Sequence, residues 1–103
     1  MTDRRRAQRK RIDVFFNKYL EGHPYLCRAV DVSNGGILAR THVEPDRQPE
    51  SFPVELRLPG DTRSLWLWGR SVRRSDRRQA IEIVRLRPRE HSRLQRYLAS
   101  AER

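Results

Sequence analysis

Two small groups of residues have the types and the spacing to do chemistry. Arg5 and Arg9 stand four positions apart in the run Arg5-Arg-Ala-Gln-Arg9. Asp31-Val-Ser-Asn-Gly-Gly36 places a carboxylate, a hydroxyl and a glycine within six positions. A guanidinium presents a planar fork that pairs bidentately with phosphate or with the O6 and N7 edge of guanine. A carboxylate accepts from the ring and exocyclic N–H donors of a guanine, and a serine hydroxyl suits phosphate oxygens or base edges. Gly36 carries no side chain and lets a ligand approach the backbone. If the arginines fold over the Asp31–Gly36 turn, the two groups form a clamp for a guanine-containing phosphate compound.

The rest of the composition agrees with a phosphate-bearing partner and leaves its size open. The chain has 103 residues and a formal charge of +10. Of its 23 basic residues, only Lys10 and Lys18 are lysines, so the surplus is almost entirely guanidinium. The length fits one domain. No apolar run reaches the roughly 18–20 residues of a membrane span, and the charged N-terminus is followed by no apolar signal region. Cys27 is the one cysteine, which excludes an internal disulfide and a cysteine-built zinc site. These features predict a cytoplasmic protein without membrane insertion. His23, His42 and His91 have no metal-like spacing, and no nucleophile–base pair or phosphate-binding glycine loop before a helix is present. The expectation is therefore a binding protein, not an enzyme, with no metal and no cofactor.

The elements that must hold these groups follow from periodicity. Residues 1–12 carry six cations against Asp3 and almost nothing apolar, which predicts a mobile basic arm. The body spans residues 13–103. Val14, Phe16 and Leu20 alternate with Phe15 and Tyr19, predicting a strand over 13–20. A turn at Glu21–Pro24 leads to a second strand through Tyr25, Cys27 and Ala29. Asn34-Gly35 predicts a hairpin, because both residues tolerate positive φ. Ile37-Leu38-Ala39 begins a third strand, and Thr41–Pro53 is a polar, proline-containing loop. Val54, Leu56 and Leu58 mark a fourth strand, Leu65–Val72 a fifth, and Ala80–Val84 a sixth. Pro88 opens a helix over about 88–101, with Leu94, Tyr97, Leu98 and Ala101 at helical spacing. The fold class is all-β with a C-terminal helix: a six-stranded antiparallel β-barrel whose helix covers an open end or edge.

With order, spacing and sheet context assembled, the sequence resembles the PilZ domain family in its single-domain form. Arg5-x-x-x-Arg9 and Asp31-x-Ser33-x-x-Gly36 match the family motifs RxxxR and [D/N]xSxxG, and the 22 positions from Arg9 to Asp31 are similar to the family's spacing. PilZ domains are bacterial receptors for cyclic di-GMP, and their architecture is the barrel with trailing helix read above. The resemblance implies that Arg5 and Arg9 wrap the ligand, that Asp31 and Ser33 recognise a guanine, and that Gly36 is the motif glycine. Arg4, just before the first motif arginine, implies a stacked pair of ligands, two cyclic di-GMP molecules per domain. In one respect the sequence departs from its relatives: the strand Ala80–Arg85 often carries a glycine in them, and here it has none.

Each feature also has a purely structural use. A solvated basic tail contains i, i+4 arginine pairs by chance, Asp31 and Ser33 can cap a hairpin, and Gly35 and Gly36 can serve turn geometry alone. Trp66 and Trp68 could stack on a base, but tryptophan in a small barrel more often packs, which is the expectation here. The leading expectation is a cyclic di-GMP receptor or adaptor whose arm closes on the ligand and signals to a downstream protein partner. The alternative is a nucleic-acid-binding protein that uses the +10 surface, including the cluster Arg70, Arg73, Arg74, Arg77 and Arg78, with cyclic di-GMP as a modulator that could switch access.

Overall fold

The computed structural model describes residues 9–100, and Arg4, Arg5 and Ala101 lie outside them. Six strands and one helix follow in order: β1 (Arg9–Leu20), β2 (His23–Ser33), β3 (Gly36–Thr41), β4 (Ser51–Leu56), β5 (Leu65–Ser75), β6 (Arg78–Arg85) and α1 (Pro88–Ala99). The strands close into a barrel in the order β1-β2-β3-β6-β5-β4. Every neighbouring pair is antiparallel, and β1 meets β4 through Phe16↔Leu56, Asn17↔Glu55 and Lys18↔Val54.

Period-two burial explains why these segments are strands. On β1, Ile12, Phe16, Lys18 and Leu20 point inward; on β4, Phe52, Val54 and Leu56 do; on β5, Leu65 and Leu67 do. Together with Cys27, Ala29, Val32, Ile37, Ala39 and Ile81 they fill the barrel. Leu58, which the sequence suggests as a strand residue, is buried beyond the end of β4. Pro53 is tolerated in β4 because the pairing to β1 involves only Val54–Leu56, so no ladder bond to β1 is asked of its nitrogen.

α1 begins with Pro88 at its N-terminus and buries Leu94 and Leu98. Arg93 fastens it to the β4–β5 loop, donating to the Asp61 carboxylate at 2.8 Å and to the carbonyls of Arg63 and Ser64. That guanidinium holds the Asp61 carboxyl below the usual carboxylate range.

Three expectations need correction. β1 begins at Arg9 instead of Asp13, so residues 9–12, assigned to the mobile arm, belong to the sheet. Arg9, Lys10 and Arg11 pair with Ser33, Val32 and Asp31, and Ile12 is buried. The Asn34-Gly35 hairpin forms without positive φ at either residue. The left-handed turn is instead Glu21-Gly22, with φ of 52° and 85°. Finally, the tryptophans do not fill the core. Leu65 and Leu67 do, while Trp66 and Trp68 stand outward, 46% and 42% exposed.

A polar cluster inside the barrel escaped the periodicity. Lys18 is fully buried, and its Nζ donates to Gln79 Oε1 at 2.6 Å, Glu44 Oε1 at 2.9 Å and Gln48 Oε1 at 3.3 Å. Glu44 and Gln48 come from the β3–β4 loop, so the loop is fastened into the barrel by a buried ion pair. Burial beside this cluster pushes the Cys27 thiol up to about 12, with the Lys18 ammonium opposing and Glu44 adding to the shift.

Candidate ligand-binding site

The spacing of the two sequence motifs follows from hairpin arithmetic. Glu21-Gly22 turns the chain, and the β1–β2 ladder then brings residues whose numbers sum to about 42 opposite each other. Arg9 consequently faces Ser33, and Arg11 faces Asp31. The 22 positions between Arg9 and Asp31 are the length of one long hairpin.

Two irregularities aim Asp31. Ala29 pairs with Ala39 on β3, yet Asp31 pairs with Leu38, so Val30 is an extra residue. A bulge reverses the inward–outward alternation beyond it. Ala29 and Val32 therefore face the core, and Asp31 is spared burial. On the facing strand a second shift lies between Arg11 and Val14.

The β2–β3 turn is tied by a side chain. Ser33 Oγ accepts from the amides of Gly35 and Gly36, each at 3.2 Å, and lies 3.5 Å from the Gly36 carbonyl oxygen. This side-chain bonding replaces the positive-φ turn that Asn34-Gly35 suggests. Gly36 serves a different purpose: a Cβ there would stand 2.7 Å from the Ile81 carbonyl oxygen on β6. It is the point where β3 and β6 run too close for a side chain. Asn34 Oδ1 is buried with no hydrogen-bond partner among the described residues.

An open cleft of about 750 Å³ lies over this turn. Arg9, Asp31, Ser33 and Gly36 all line it, so the described part of the expected site is gathered in one place. Arg9 Nη2 approaches Asp31 Oδ2 at 3.5 Å, and the two side chains are 64% and 22% exposed. A pair so long and open holds its partners weakly. The Asp31 carboxylate therefore keeps acceptor capacity, and the guanidinium is free to turn. Arg4 and Arg5, the other two expected ligand residues, lie outside the described residues.

Composition and periodicity do not point to the far wall, and the resemblance touches it only through the strand Ala80–Arg85. Val72 and Arg73 from β5 and Ala80, Ile81 and Glu82 from β6 complete the cleft. Glu82 faces Gly36 across the β3–β6 ladder and is paired with Arg70 of β5. The strand that lacks a glycine thus contributes a carboxylate already neutralised by a guanidinium. No grouping of metal-ligating side chains occurs among the described residues, and no described helix is long and apolar enough to cross a membrane.

The PilZ domain model matches residues 3–100, nearly the whole chain, and so spans the barrel, the helix and the expected arginine motif. The chain belongs to the PilZ domain family. Among solved structures, the PilZ domain with c-di-GMP of YcgR from Escherichia coli superposes with a TM-score of 0.78 at 21% identity, covering 97% of this chain and 92% of that one. The Bacillus subtilis inhibitor of motility MotI/DgrA gives a TM-score of 0.80 at 19% identity over 98% of this chain. This chain spans 52% of MotI/DgrA. Both confirm the six-stranded barrel with one C-terminal helix as the PilZ fold. Comparison with curated proteins gives no significant match.

Proposed function

We propose that this PilZ domain is a cyclic di-GMP receptor whose basic N-terminal arm closes over the cleft and presents the closed surface to a protein partner. The observation that carries the reading is the convergence of Arg9, Asp31, Ser33 and Gly36 on one open cleft, with Arg9 at the first position of β1. Arg5 belongs to the chain immediately before that strand. The family motif assigns Arg5 to the same ligand, and Arg4 beside it to a second, stacked molecule.

The chemistry of the parts supports recognition of a guanine dinucleotide. Asp31 accepts from guanine N–H groups, and Arg9 forks onto a phosphate or a base edge. Ser33 shapes the turn, since its hydroxyl bonds both glycine amides. The partnerless Asn34 Oδ1 is one further acceptor beside it. Two phosphate charges, guanidinium forks and arginine stacking supply the binding energy, offset by the entropy of ordering the arm. Family membership and the YcgR complex support the ligand class, and the site residues support binding without turnover.

Isothermal titration calorimetry with cyclic di-GMP tests the reading and gives affinity and stoichiometry together. Micromolar or tighter binding is expected, with at least tenfold loss in Arg5→Ala and in Arg9→Ala. A ratio of two ligands per chain, falling to one in Arg4→Ala, is expected for the stacked pair. Wild-type affinity in both motif variants would refute the clamp.

A further inference from the structure

The outer face of β5 carries a second candidate site centred on Trp66 and Trp68, away from the expected ligand motifs, and its basic end meets the cleft only at Arg73. Trp66 and Trp68 project from this strand two positions apart, and both indoles are nearly half exposed. Tyr19 of β1 supports the first indole, with ring centroids 5.5 Å apart and planes tilted by 33°. The Tyr19 hydroxyl donates to Glu55 at 2.9 Å, which fixes that ring. Glu55 also accepts from Ser64, so this carboxylate is occupied on both oxygens. Pro53 flanks Trp68 on one side and Arg85 on the other.

Beyond the indoles the same hairpin turns basic. Arg70, Arg73, Arg74, Arg77 and Arg78 follow along β5 and into β6, and Arg85 returns beside Trp68. Against these six guanidiniums the segment 66–85 holds only Asp76 and Glu82. Glu82 is spent on Arg70, while among the described residues Arg74 bonds only backbone carbonyls, those of Pro45 and Asp46. A stable soluble barrel has no need to expose two indoles and a run of arginines on one strand pair.

We propose that this face binds single-stranded nucleic acid, with bases stacked on Trp66 and Trp68 and the phosphate backbone following the arginines toward the β5–β6 turn. Two side chains on one face of a strand stand about 6.6 Å apart. That is nearly twice the roughly 3.4 Å rise between stacked bases. Consecutive bases must therefore separate, each lying on its own indole, which a duplex cannot do. Stacking is tolerant of sequence because every base has a π-face, and the arginines add cation–π and phosphate contacts. The local charge selects this polyanion over an apolar protein surface or a second copy of this +10 chain, which it repels.

Trp66 and Trp68 are the chain's only tryptophans, so indole fluorescence reads this face alone. Titration of the full chain with fluorescein-free oligo-dT and oligo-U should quench that emission saturably at low salt. Trp66→Ala and Trp68→Ala should each weaken binding by roughly 5- to 100-fold, followed with labelled oligonucleotide by anisotropy. Trp→Phe at either position should restore part of the loss, which separates stacking from misfolding. Arg77→Gln should lower the log–log salt slope by about 0.7. Retained cyclic di-GMP binding in the tryptophan variants separates this site from the cleft. Absence of quenching, binding indifferent to both tryptophan changes, or equal affinity for duplex would overturn the proposal. So would self-association that buries the indoles without oligonucleotide binding.

Discussion

Replacing Gly36 by alanine should destabilise the barrel even though its turn neighbour Gly35 tolerates the same change. The methyl group at position 36 would meet the Ile81 carbonyl oxygen at 2.7 Å, where ordinary contact begins at 3.4 Å. The obstacle is backbone, so no side chain can swing aside. β6 itself has to retreat, and its ladder with β3 runs through Gly36↔Glu82 and Ile37↔Ile81. The bond from the Ile83 amide to the Gly35 carbonyl at 2.8 Å is the next to stretch. Overpacking of this kind costs roughly 1–3 kcal/mol. In a domain this small each kilocalorie lowers Tm by about 4–8 °C. Gly35 is exposed, has no positive φ, and has nothing within 4 Å of an added Cβ. Gly35→Ala should therefore lie near wild type, or gain about 0.4–1 kcal/mol from a less flexible unfolded chain. Urea denaturation of the three proteins gives the comparison directly. A Gly36→Ala midpoint equal to wild type, or equal losses at both glycines, would show that strand approach does not explain the motif glycine.

Two further outcomes follow from the barrel interior. Lys18→Met should cost about 3–5 kcal/mol by urea denaturation, because it strands the nearly buried Glu44 carboxylate. The double change Lys18→Met with Glu44→Leu should recover most of that loss, and a single variant within about 1 kcal/mol of wild type would remove the ion pair from any structural role. Burial raises the Cys27 thiol from 9.0 to about 12, so the unfolded chain releases this proton first. Between those values stability should fall as pH rises, by up to about 1.4 kcal/mol per unit, and denaturation series on Cys27→Ala should show a shallower fall. An identical slope in wild type and variant would contradict the assignment.

Periodicity was enough to read the barrel, because a half-buried strand writes its inward face into every second residue. Phe16, Leu20, Val54, Leu56, Leu65 and Leu67 are all where alternation puts them. It failed where burial and hydrophobicity part company. Lys18 takes an inward position that its charge argues against, and only the fold brings Gln79, Glu44 and Gln48 to satisfy it. The start of β1 was missed for the related reason that Arg9, Lys10 and Arg11 read as a solvated arm. Their strand character comes from pairing with Asp31–Ser33, which local composition does not display. The near side of the cleft was legible because its residues are the two ends of one hairpin. Its far wall depends on the register of β5 and β6, including shifts at Trp68/Gly69 and Ser71/Arg73, and nothing local in Val72, Arg73 or Glu82 announces it.

The structural and functional uses of the Asp31–Gly36 turn are not competitors. Ser33 spends its hydroxyl on the amides of Gly35 and Gly36, and Gly36 is required by the approach of Ile81. Both would belong in this fold with no ligand at all. Asp31 differs. The bulge at Val30 turns it out of the core, and its one ion-pair partner among the described residues, Arg9, is held at 3.5 Å on an open surface. Neither arrangement contributes much stability, since exposed pairs of this geometry are worth about 0–1 kcal/mol. A bulge that interrupts the β2–β3 ladder to free one carboxylate is a local cost without a local return. Ser33 and Gly36 are therefore explained by folding, whereas folding gives no account of Asp31 and Arg9, and the proposed ligand does.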